Sequence, residues 1–178
     1  MTILVTGATG TVGRNVVDQL VKRGADVRAL VRDPSKANLP ASVSLVQGDL
    51  LDVDALRNAF KGVSTLFLLN GVVADEFTQA LVALNLAKEA GMERVVYLSV
   101  IHADLYVNVP HFAGKFGVER MIETMGFSAT ILRPCTPCRY PAWLVRSVLQ
   151  GRSALCRAGR DSHRSAAAAL RSRLRIAR

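Results

Sequence analysis

Residues 1–134 contain no cysteine; Cys135, Cys138 and Cys156 all lie beyond them. A disulfide framework is therefore excluded over that stretch, whose composition fits a reducing compartment. No apolar run is long enough to cross a bilayer. The chain enters a β-prone run without a charged leader or cleavage-like site, so a soluble, cytoplasmic protein is expected. Residues 135–178 lack lysine and glutamate altogether, and ten arginines there face Asp161 alone. Residues 1–134 balance 13 Lys and Arg against 13 Asp and Glu, so the whole formal charge of +9 resides in the tail. No aromatic residue follows Trp143, and no internal repeat of solenoid length is present. Two compositions are joined: residues 1–134, enough for one sizeable core, and an Arg/Ala-rich tail over 135–178, expected to be irregular or helical and poorly ordered.

What is present before Pro134 is a regular alternation. Apolar, β-branched runs recur at 3–6, 27–31, 43–46, 65–69, 95–98 and 130–132, separated by helix-period stretches at 12–22, 53–60, 76–90 and 115–125. Helix stops fall at glycines 24, 62, 91 and 126. Strand runs that are continuously apolar imply burial on both faces. The predicted fold is therefore α/β: a doubly wound parallel sheet of about six strands, with its ligand crevice at the strands' carboxyl ends.

The most specific local signal is Thr6-Gly7-Ala8-Thr9-Gly10-Thr11-Val12-Gly13, directly behind Ile3-Leu4-Val5. A pyrophosphate must lie against backbone N–H groups at a helix N-terminus, where donors lack partners and the helix dipole is positive. A Cβ at the closest approach would hold the phosphates away. Gly7, Thr9, Gly10, Thr11, Val12 and Gly13 are the candidate dinucleotide contacts, although the spacing is G-x-x-G-x-x-G rather than G-x-G-x-x-G.

These residues resemble the atypical, extended short-chain dehydrogenases, the NmrA-like group in particular. The glycine loop carries the resemblance together with Val31-Arg32-Asp33-Pro34, Gly48-Asp49-Leu50, Val96-Tyr97-Leu98-Ser99 and Ala129-Thr130-Ile131-Leu132-Arg133-Pro134. It implies an NAD(P)-binding Rossmann domain over residues 1–134. Asp49, with Leu50, corresponds to the family's adenine-contacting acid; alternatively it caps a helix beginning near Asp52. Asn70 and Gly71 correspond to the point where the family's backbone passes the cofactor, or form a simple turn. Arg32 stands where the second strand closes, and an arginine there recognises a 2′-phosphate whereas an acid prefers the ribose diol. NADP is expected over NAD, with two alternatives left open: Asp33 presents the acid instead, or it pairs with Arg32 on the surface.

Reduction by hydride transfer also needs a proton donor. The short-chain dehydrogenases use a Tyr-x-x-x-Lys pair, whose lysine contacts the nicotinamide ribose and lowers the tyrosine pKa; related isoflavone-reductase-like reductases keep the lysine without the tyrosine. Here the stretch reads His111-Phe112-Ala113-Gly114-Lys115. The resemblance implies that Lys115 binds the ribose. Histidine titrates near neutral pH, so His111 is either the acid or a loop residue following Pro110. Ser99 corresponds to the family's hydrogen-bonding serine, or marks a strand-end turn. His102 and Tyr106 fall in the following loop, facing the expected substrate cleft or plain solvent.

The tail admits several readings. Cys135, Cys138, Cys156 and His163 have the wrong spacing for a persuasive zinc site, so no metal is expected. Ten arginines offer phosphate contacts to a nucleic acid, but no binding motif or interleaved aromatics accompany them, so nucleic acid is not the expected partner. The family continues beyond Arg-Pro with a seventh strand and a substrate region, and the tail has the composition of a GC-rich message read out of frame. A C-terminally truncated or frameshifted member is expected. Two functions follow from the resemblance: an NADPH-dependent oxidoreductase of a small carbonyl or quinone, or a dinucleotide-binding sensor acting through a regulatory protein partner.

Overall fold

A computed structural model describes residues 1–134. Six strands form one sheet: β1 (Thr2–Val5), β2 (Asp26–Val31), β3 (Ser44–Gln47), β4 (Thr65–Leu68), β5 (Arg94–Leu98) and β6 (Ser128–Leu132). Every neighbouring pair is parallel, and the order across the sheet is β3-β2-β1-β4-β5-β6. The chain thus runs outward from β1 to one edge, returns, and runs outward from β4 to the other. The reversal between β1 and β4 opens the crevice in which doubly wound sheets bind ligands.

Connections run through α1 (Thr11–Lys22), α2 (Val53–Phe60), α3 (Glu76–Glu89) and α4 (Pro110–Thr124), with a short 3₁₀ turn at Pro34–Lys36. Alternation along the strands feeds two cores. Leu4, Leu30, Leu66, Leu68, Val95 and Tyr97 pack with residues of α2, α3 and α4, including Leu56, Leu84 and Ile122. Ile3, Val5, Phe67, Val96 and Leu98 pack on the opposite face with Val16, Val17 and Leu20 of α1. The 16, 17, 20 spacing is the apolar stripe of a helix lying on a sheet. β4 is buried at all four positions, as a strand covered on both faces must be. Truncating a fully buried side chain such as Leu66 to alanine costs about 2–5 kcal/mol.

Helix ends are satisfied locally. Asp52 accepts from the Ala55 amide at 3.0 Å and caps α2. At the other end of α2, Arg28 of β2 donates to the carbonyls of Ala59 and Lys61 at 2.8 and 2.7 Å, a cation placed where the helix dipole is negative.

The fourth helix departs from expectation. It starts at Pro110, five residues before Lys115, where periodicity had placed it. Proline suits the first helical position because its missing N–H has no partner there anyway. Gly114 and Gly117 obscure the helical pattern in the sequence. A Cβ on Gly117 would lie 2.9 Å from the Phe77 ring, so that glycine reflects close approach of α3 and α4. His111 therefore stands in the first turn of a helix and is not a loop residue.

Candidate dinucleotide site

The loop between β1 and α1 is built around absent side chains. Gly7 has φ +61°, and a Cβ there would stand 2.7 Å from the Leu69 carbonyl oxygen. A Cβ on Gly13 would stand 2.1 Å from the Gly7 carbonyl oxygen and 2.8 Å from Ala8 Cα. Neither position has room for alanine without moving main chain. Gly10 is the N-cap of α1 and supplies no side-chain acceptor, and no acid lies in the first turn. The head of α1, at Thr11, Val12 and Gly13, thus presents donors and a positive dipole without an internal anion, which is the requirement for holding a pyrophosphate. Thr6, buried at the end of β1, ties the loop to β4: its hydroxyl donates to the Leu69 carbonyl at 2.8 Å and accepts from the Leu69 amide at 2.9 Å.

Beside this loop, Gly7, Thr9, Arg32, Asp49, Leu50 and Asn70 line one crevice. Sequence reasoning named all six. Thr6, Leu69, Val73 and Gln79 also line it; only the run Thr6–Gly13 could have hinted at Thr6. Arg32 and Asp33 differ in their surroundings. The Asp33 carboxylate accepts from Ser35 N at 3.0 Å and Ser35 Oγ at 2.6 Å, and meets Lys36 at 2.9 Å. Those bonds hold its carboxyl below the usual aspartate range, the Ser35 hydroxyl first and Lys36 second. Asp33 is thereby occupied as a cap, whereas the exposed Arg32 lines the crevice wall as its positive charge. Asp49 does not cap α2, a task that falls to Asp52; its carboxylate accepts from Leu51 N at 3.0 Å and steadies the turn after β3.

A second, buried group lies between α3, α4 and the ends of β4 and β5. Lys115 is 5% exposed. It donates to the Leu98 carbonyl at 3.1 Å and to Asn70 Oδ1 at 3.4 Å. Its ammonium also meets Glu76 Oε1 at 2.7 Å, as an ion contact rather than an aligned hydrogen bond, and lies 5.0 Å from the centre of the Tyr97 ring. The other oxygen of the same carboxylate, Glu76 Oε2, is 2.8 Å from His111 Nδ1. Asn70 Nδ2 donates to the Glu76 main-chain carbonyl at 2.7 Å. His111 and Lys115, paired by sequence at i and i+4, are thus joined through an acid that sequence reasoning did not name. Tyr97, fully buried, has a hydroxyl with no hydrogen-bond partner among the described residues. Burial foremost, then Glu76 and Glu119, pushes its pKa well above the usual range.

Ser99 belongs to a different set. It is buried, and its hydroxyl donates to Glu119, which also receives Arg133 Nε at 2.9 Å. Arg133 reaches Asp104 at 3.1 Å, and its pKa is raised, chiefly by the Glu119 hydrogen bond. The structure therefore spends the Ser99 hydroxyl on a Glu119–Arg133 cluster linking β5, α4 and the end of β6, and does not join it to His111 and Lys115. The cysteines, His163 and the arginine tail lie outside the described residues. Among the described residues no group of three or more His, Cys, Asp or Glu could hold a metal ion, and no helix is long and apolar enough to cross a membrane.

Residues 1–142 match the NmrA-like family. The chain belongs to that family. Quinone oxidoreductase 2 of Escherichia coli (strain K12) is 34% identical to this NmrA-like chain over 139 residues, 74% of this chain and 47% of the relative. The NAD(P)H azoreductase of Xenophilus azovorans is 32% identical over 136 residues, again 74% of this chain and 47% of the relative. Among solved structures, the Citrobacter sp. triphenylmethane reductase complexed with NADP(H) superposes with a TM-score of 0.69 at 29% identity, covering 75% of this chain and 49% of that one. This NmrA-like chain spans about half the length of the curated relatives it matches.

Proposed function

We propose that residues 1–134 form the cofactor-binding part of an NADPH-dependent reductase acting on a small quinone or carbonyl compound. The observation that carries the reading is the pairing of a side-chain-free cradle at Gly7 and Gly13 with an uncommitted Arg32, Asp33 being spent on Ser35 and Lys36. The head of α1 holds the pyrophosphate, Arg32 recognises the 2′-phosphate, and Asp49 with Leu50 lies along the adenine side of the crevice. The nicotinamide, when bound, supplies the hydride. Lys115 anchors its ribose, and the 3.4 Å contact to Asn70 is the weakest one that a ribose hydroxyl would displace. His111, whose side chain is 26% exposed, delivers the proton.

An apolar substrate fits the rim. Val72, Val73, Leu105, Tyr106 and Val107 are all exposed, in the loops following β4 and β5 at the carboxyl end of the sheet. The relatives are a quinone oxidoreductase, an azoreductase and a triphenylmethane reductase, consistent with such a surface. Nucleotide fluorescence titration tests the cofactor half: saturable binding with NADPH tighter than NADH is expected, and no binding to either overturns it. NADPH oxidation over a panel of quinones and aldehydes tests turnover. The alternative, a redox sensor acting through a regulatory partner, draws on the histidine standing where the short-chain dehydrogenases place tyrosine. It predicts NADPH binding with no turnover on any acceptor.

A further inference from the structure

Glu76 is the first residue of α3, buried to 7% exposure, and its carboxylate bridges two groups from the next helix. A helix N-terminus favours a carboxylate, yet α3 is already preceded by Asp75 in solvent-accessible surroundings. Burying Glu76 instead is costly unless its partners are fixed. Both oxygens are in use: Oε1 meets the ammonium of Lys115 and Oε2 meets Nδ1 of His111. The main-chain carbonyl of the same residue holds the Asn70 amide, whose oxygen receives Lys115. The other charged and titratable groups packed around this centre are Lys115 itself and Tyr97 below it; Tyr106 approaches His111 only through the ring of Phe112. No second acid competes for the imidazole within this set.

A carboxylate on one imidazole nitrogen decides what the other can do. An ionised carboxylate accepts only, so Nδ1 must carry a hydrogen in both protonation states of the ring. Within the described residues Nε2 has no hydrogen-bond partner. We propose that Glu76 is the positioning residue of this site, fixing His111 as the Nδ1–H tautomer so that Nε2 alone carries the transferable proton, while the same carboxylate holds Lys115. This assignment rests on the reductase reading for its substrate and on geometry alone for the tautomer. When bound, a reduced nicotinamide would supply the hydride to the electrophilic atom of the acceptor and be oxidised by that transfer. The proton on Nε2 passes to the acceptor oxygen, the ring is left neutral with hydrogen on Nδ1, and water returns a proton to Nε2. Glu76 keeps its contacts to His111 and Lys115 and touches neither substrate nor cofactor.

The test is ¹⁵N imidazole spectroscopy of the full chain without cofactor, with H111N assigning the signal among the three histidines. At alkaline pH the His111 ring of the wild-type chain is expected as the Nδ1–H tautomer. E76Q replaces an acceptor-only group with one that both donates and accepts, and is expected to convert this to a mixture. A wild-type ring carrying its hydrogen on Nε2, or an E76Q spectrum identical to wild type, overturns the proposal. Should E76Q fail to fold, the wild-type tautomer decides alone. An NADPH titration of the wild-type chain run in parallel separates the two readings, because loss of cofactor binding would refute the reductase assignment and leave the tautomer standing.

Discussion

Alanine at Gly13 tests the glycine cradle more sharply than any change to a charged residue. The added Cβ would stand 2.1 Å from the Gly7 oxygen, 2.7 Å from the Gly7 carbonyl carbon and 2.8 Å from Ala8 Cα. All three obstacles are main chain, so no side chain can swing aside. Restoring carbon–oxygen contact near 3.3 Å requires the loop and α1 to separate by about 1 Å. Overpacking that cannot be relieved by rotamers costs about 3 kcal/mol or more, and alanine in a helix returns about 1 kcal/mol relative to glycine. The expected net loss is about 2 kcal/mol, read as a lower urea midpoint at unchanged slope. Gly10→Ala is the internal control: its Cβ would lie 3.4 Å from the same Gly7 oxygen, and the loss should not exceed about 1 kcal/mol for a poorer N-cap. Because the 1 Å opening displaces the amides at the head of α1, Gly13→Ala should also bind NADPH at least tenfold more weakly, measured by nucleotide fluorescence. A Gly13→Ala chain as stable as Gly10→Ala and binding NADPH as tightly as wild type would refute the reasoning.

Removing the arginine in Arg32→Ala deletes one charge-assisted contact to the 2′-phosphate, about 1.5–3 kcal/mol; NADPH affinity should fall roughly ten- to hundredfold while NADH affinity, titrated alongside, stays within twofold. Tyr97→Phe removes a buried hydroxyl that lacks a partner and should be neutral or stabilising by about 1 kcal/mol in urea denaturation. The same substitution changes alkaline stability: the folded phenol stays neutral where the unfolded one ionises, so wild-type stability, whole below pH 10, is lost as pH rises above it, and the Phe variant loses less between pH 10 and about 12. Glu76→Ala strands a buried ammonium and should cost about 3–5 kcal/mol, with Glu76→Ala/Lys115→Met recovering part of that loss in the same assay.

The sheet was legible because its signals are local. Continuous apolar runs such as 65–68 and the 16, 17, 20 spacing of α1 report burial directly, and Gly13 is forced by a contact with Gly7 only six residues away. Arg32 and Asp49 were legible for the same reason, since each closes a strand that the pattern had already located. The buried acid was not. Glu76 meets residues 35 and 39 positions away, through the packing of α3 on α4, and nothing in its own neighbourhood distinguishes it from an exposed helix-start glutamate. The start of α4 was hidden by Gly114 and Gly117, whose reason lies on Phe77 of another helix. Ser99 was placed correctly at the end of β5, but its partner Glu119 lies twenty residues on, and the turn of its hydroxyl could not be read from position alone.

The two hydrogen bonds between the Thr6 hydroxyl and Leu69 have a consequence for how the crevice is made. β1 and β4 part at this point, and in the absence of a side chain there the opening would be set by whatever enters it. One hydroxyl instead satisfies both the amide and the carbonyl of Leu69, so the chain itself sets the width of the mouth. Entry of a ligand then requires little rearrangement of this wall, and the affinity it confers is not diminished by the entropy of ordering it.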